Sequence, residues 1–80
     1  MMTVAAPRAW DAEWDAGDLG CGELILALKL RMRPLCSGQM LRLKAADPGA
    51  VEDIPAWCRL TGHTLVHLDA DARLYFIRHL

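Results

Sequence analysis

The stretch Asp18-Leu19-Gly20-Cys21-Gly22-Glu23-Leu24-Ile25 sets a cysteine between two glycines, directly ahead of an apolar run of helix formers. If a helix starts here, Cys21 lies at or just before its first residue. The unpaired backbone N–H groups and the positive end of the helix dipole then favour thiolate over thiol, and the thiolate is the nucleophile. The flanking Gly20 and Gly22 leave the sulfur open to a reaction partner. From local physics alone an ordinary cysteine without chemistry fits the same place. Glu23, in the would-be first turn, opposes a thiolate by its charge but suits the dipole.

The other titratable groups form weaker constellations. Cys58 falls on the apolar side of a second helix pattern and reads as a buried structural thiol. Cys36 follows the first helix pattern in a loop. It could act as a resolving thiol only if residues 22–35 were extended, because a helix would hold it roughly 20 Å from Cys21. His63, His67 and His79 lack ligand spacing and have no Cys-x-x-Cys beside them, so no metal site is expected. His63 reads as a turn residue. Lys29, Arg31 and Arg33 are either a solvated face or a docking patch for an acidic partner surface. No serine–histidine–acid set and no phosphate loop is present, which argues against a stand-alone hydrolase or kinase.

Composition bounds the rest. The chain has 80 residues, 54% of them hydrophobic, and a formal net charge of −1. That suits one small folded domain and argues against non-specific nucleic-acid binding. No apolar run approaches the ~20 residues of a membrane span. The N-terminus has no hydrophobic segment of the secretory kind, and three cysteines do not make a disulfide framework. A cytoplasmic protein is the default expectation.

These residues need elements to hold them. Residues 1–11 read as a flexible tail with a stray Trp10, and residues 12–80 as a single domain. Residues 12–16 form a short strand ended by a Gly17-Asp18 turn. Residues 22–35 carry both a period of two and a helical stripe of Leu24, Leu28, Met32 and Leu35. The residue types decide for helix: Leu, Ala, Lys, Arg, Met and Glu dominate, and β-branched residues are nearly absent. Leu26 and Leu30 then lie at the edge of the core face or on a contact surface. After a Ser37-Gly38 turn, residues 39–46 alternate as a strand with Leu41, Leu43 and Ala45 on one face. Asp47 is placed to cap a second helix over 49–61, with Pro48 in its first turn and Gly62 as its stop. That helix carries Val51, Ile54, Trp57, Cys58 and Leu60, and Pro55 should bend or split it. Strands at 64–68 and 73–79 close a hairpin across residues 69–72. The order β-α-β-α-β-β predicts an α+β, two-layer α/β sandwich: a four-stranded mixed sheet with two helices on one face.

From Glu13 to Leu80 the chain resembles the TusA/SirA family of small sulfur-carrier proteins. The resemblance rests on Trp14-Asp15-Ala16 with Leu19 and Cys21, on Ser37-Gly38, on Asp47-Pro48, on Asp53-Ile54-Pro55-Ala56-Trp57-Cys58, and on Gly62-His63. It makes Pro55 a familiar feature of the second helix. It implies that Cys21 accepts sulfane sulfur as a persulfide and passes it on, with no metal or organic cofactor. The implied partners are a cysteine desulfurase or rhodanese-like donor and a downstream acceptor, in tRNA thiolation, cofactor sulfur or sulfur oxidation. Neither nucleic acid nor membrane is an expected partner. The family's Cys-Pro-x-Pro here reads Cys21-Gly22-Glu23-Leu24, and Asp18 stands where the family usually has glycine. The alternative is therefore a protein-binding or regulatory module that keeps the fold and has relaxed the motif.

Overall fold

The structure is a computed structural model that describes residues 6–80, with the side chain of Cys21 outside that description. Its elements follow in the expected order: β1 (Ala12–Asp15), α1 (Cys21–Met32), β2 (Met40–Lys44), α2 (Ala50–Thr61), β3 (Thr64–Asp69) and β4 (Leu74–Arg78). The sheet has the order β1-β2-β4-β3, with β1 parallel to β2 and the other neighbours antiparallel. It is the mixed sheet that the sequence pattern predicts.

Alternation along the strands sends Leu41, Leu43, Tyr75 and Ile77 to one face, where both helices cover them. Helix α1 contributes Leu24, Leu28 and Met32, and α2 contributes Ala50, Ile54 and Cys58, each set spaced by four residues. Leu35 is only half-buried. Leu26 and Leu30 are solvent-facing, at 62% and 53% exposure. Of the apolar residues read onto α2, Val51 and Leu60 are exposed. Leu60 lies six residues beyond Ile54, which turns it about 120° off the buried stripe.

Three local expectations need correction. Asp47 does not cap α2: its Oδ2 accepts the Gly49 N–H at 3.0 Å, and the N-cap is Gly49, which has no side chain to offer the first turn. Pro48 accordingly precedes the helix. Pro55 does not split α2, which runs unbroken through it. The carbonyl deprived of its donor belongs to exposed Val51, where water can replace the lost bond. The β3–β4 loop covers residues 70–73, one position later than expected, because Arg73 takes the left-handed conformation at φ 60°. Gly62 ends α2 as expected, at φ 87°, with its N–H on the Cys58 carbonyl.

Phe76 points to the sheet face without helices and is nevertheless only 2% exposed. Trp10 and His67 cover it, with ring centroids 5.8 and 5.9 Å away. The Arg42 guanidinium lies over Trp10 and pairs with Glu13 at 2.7 Å. Asp11 exchanges two hydrogen bonds with the Met40 backbone, at 2.9 and 2.8 Å. The last two residues of the 1–11 stretch are thus tied to β2, while residues 1–5 lie outside the described residues.

Two leucines of α1 test this packing. Leu28→Ala should lower unfolding free energy by about 2–5 kcal/mol, and Leu30→Ala by no more than about 0.5 kcal/mol, in denaturant titrations of the two variants.

Candidate functional site

Parallel strands β1 and β2 each feed a helix that returns across the same face. Both helices therefore start at the same end of the sheet, and Cys21 and Ala50 open there. The lead-in to Cys21 is fixed by backbone bonds. Asp15 Oδ1 takes the Gly17 N–H at 2.8 Å, and Gly17 turns the chain at φ 59°. The Gly17 carbonyl then accepts from Ala46, and the Ala16 carbonyl from Leu19. Because Gly17 supplies the left-handed turn, Asp18 does not have to.

Cys21 is the first residue of α1. Gly20 is the N-cap in extended conformation, at φ −72° and ψ 166°, and among the described residues no side chain caps the helix start. The first intrahelical bond runs from the Leu24 N–H to the Gly20 carbonyl at 2.7 Å. The N–H groups of the first turn ahead of Leu24 therefore have no intrahelical acceptor and remain available to an anion beside them. Gly22 and Glu23 are exposed, and a Cβ on Gly20 or Gly22 would meet nothing within 4 Å. Leu24, where the resemblance would place a second proline, is fully buried in the core.

A groove between the helices begins at Gly22. Its first part, about 420 Å³, is lined by Gly22, Ile25, Asp53, Ala56, Trp57 and Leu60. A second part of about 390 Å³ continues along Lys29, Met32, Arg33, Trp57, Leu60 and Thr61 to His63 and His79. The three basic residues of α1 do not share one patch. Lys29 and Arg33 flank the groove, whereas Arg31 lies over the Trp14 ring at 5.1 Å on another side of the helix. Among the described residues no carboxylate is within ion-pair distance of Lys29 or Arg33.

Sequence reasoning missed the groove residues Trp57, Leu60, His63 and His79 as a set. The signal was there for α2, because positions 53, 56, 57 and 60 lie on one helical side, away from Ala50, Ile54 and Cys58. His79 comes from β4 and could be placed only by the sheet pairing.

Cys36 is exposed in the loop after α1, and Cys58 is buried. Burial pushes the Cys58 thiol up to about 11, against a smaller pull downward from Arg59. The twelve residues of α1 span about 18 Å, so Cys21 and Cys36 sit at opposite ends of a rod and cannot meet. Among the described residues no three metal-binding side chains converge, and no helix is long and apolar enough to cross a membrane.

A family model described as Sulfurtransferase TusA matches residues 12–78. The chain is 40% identical over 70 residues to a sulfur carrier protein TusA of Pseudomonas putida, covering 85% of this chain and 88% of that one. Similar relatives with the same description occur in Pseudomonas syringae, at 41% identity with 85% and 83% coverage, and in Pseudomonas aeruginosa, at 40% with 85% and 89%.

The thiol environments make a direct expectation. In a Cys21→Ala variant near pH 8, a maleimide should label Cys36 at once and Cys58 only after unfolding, as read by intact mass.

Proposed function

The chain belongs to the TusA family, and from that membership we propose that it carries sulfur, with Cys21 as the residue that accepts and releases it. The Cys21 thiolate attacks the sulfane sulfur of a donor persulfide. A new S–S bond forms on Cys21, the donor's S–S bond breaks, and the donor cysteine leaves as thiolate. The cargo then sits on Cys21 as a persulfide, which is anionic near neutral pH. The observation that carries this reading is the start of α1 at Cys21, where among the described residues no side chain caps the first-turn N–H groups. Gly22 gives that turn more freedom than proline would. Even so, the donors that hold the anion come from the helix itself and do not depend on proline.

The donor is a cysteine desulfurase or a rhodanese-like protein, and the acceptor is a further protein of a sulfur relay. A carrier must present its cysteine to both. The groove that starts at Gly22 is the surface on which they dock, with Lys29 and Arg33 meeting acidic groups at its far end. Arg31, engaged with Trp14, stands outside that surface.

Reduced protein incubated with polysulfide should gain the mass of one sulfur that a reductant removes. Cys36→Ser should keep the gain, and the double variant Cys21→Ala, Cys36→Ser should lose it. A gain that survives in that double variant would refute the assignment. Loading from a cysteine desulfurase separates docking from chemistry. The double variant Lys29→Glu, Arg33→Glu should slow it about tenfold while leaving polysulfide loading unchanged, and Arg31→Glu should change neither.

A further inference from the structure

His63 follows the C-terminal turn of α2, and its ring lies between Trp57 and His79, with centroids 5.2 and 4.7 Å away. Its Nδ1 accepts the Leu80 N–H at 3.0 Å. That bond assigns the His63 proton to Nε2 and requires a neutral ring. His79 Nδ1 lies 2.8 Å from the Leu80 oxygen, so this nitrogen carries the proton and donates. One imidazole receives from the Leu80 backbone and the other gives to it. The clamp stands on fixed supports. The His79 backbone exchanges bonds with Gly38 and Gln39, at 2.9 and 2.7 Å. The Leu80 side chain rests over Gly62, where a Cβ would come within 3.2 Å of its Cδ2.

We propose that His63 and His79, at the far end of the interhelix groove, form an acid-released latch that holds Leu80 over Gly62. A second proton on His63 would occupy Nδ1 and turn the acceptor into a donor facing the Leu80 N–H. The bond then breaks, and Leu80 leaves Gly62. The groups that face His63 set the direction. Lys29 and Arg33 of α1 line the same groove, His79 stacks from the end of β4, and α2 contributes the uncharged Trp57 and Thr61. The Leu80 oxygen is held by His79. Burial first, and His79 second, keep the His63 ring below its ordinary value. The latch is therefore closed above the usual histidine range. It opens as pH falls below about 6.5, where an unfolded chain would already bind the proton.

The test is an NMR titration of the nitrogen-labelled full chain from about pH 8 to about pH 5. The Leu80 amide should move in step with the His63 ring, with one shared midpoint below about 6.5. His63→Asn retains an acceptor near the Nδ1 position without a titrating ring, and should leave the Leu80 amide constant over this range. His79→Ala removes a like charge and should raise the His63 midpoint. A Leu80 amide that ignores the His63 titration, or that still titrates in His63→Asn, would overturn the latch.

Discussion

The rotation of α1 about its own axis governs the molecule's functional surfaces. Leu24, Leu28 and Met32 fix it, because all three must face the sheet. With that stripe buried, Gly22, Ile25, Lys29 and Arg33 turn to the groove shared with α2, while Arg31 falls on Trp14. Leu26 and Leu30 are left in solvent. Cys21 itself is the first residue of α1, one position before Gly22 in the chain. A change of one position in the stripe would turn α1 by about 100° and take the basic residues away from Trp57.

The parallel pairing of β1 with β2 supplies the second constraint. It brings the starts of both helices to one end of the sheet, with acidic Glu23, Glu52 and Asp53 in their first turns. The basic groups Lys29, Arg33 and Arg59 occupy the later turns, in the sense that each helix dipole favours. The groove therefore runs from an end lined by Gly22 and Asp53 to an end where Lys29 and Arg33 stand with His63 and His79. The resemblance would place a second proline at position 24. Leu24 there is a core residue, and its N–H makes the first bond of the helix, which proline could not make.

Much of this was legible in the sequence because it rests on local periodicity. The β-α-β-α-β-β order, the buried alternation of Leu41, Leu43 and Ala45, the Gly62 stop and the buried Cys58 all follow from spacing and residue type. The sequence could not show what depends on contacts between distant segments. Trp10 looked stray because its partner, Phe76, is sixty-six positions away in the chain and on a face where no helix was expected. Lys29, Arg31 and Arg33 looked like one patch because they are near in sequence, yet helical geometry divides them. Asp47 looked like a cap because its spacing from α2 was one residue uncertain, and it binds Gly49 instead.

The claim on which the account rests is that the first turn of α1 holds a sulfur anion on Cys21 without help from proline. Amide shifts of nitrogen-labelled protein, compared before and after polysulfide loading, test it most directly. The account predicts that the largest changes fall on Gly22 and Glu23 and that a reductant reverses them. Changes centred on Cys36, with the amides of Gly22 and Glu23 unmoved, would contradict it.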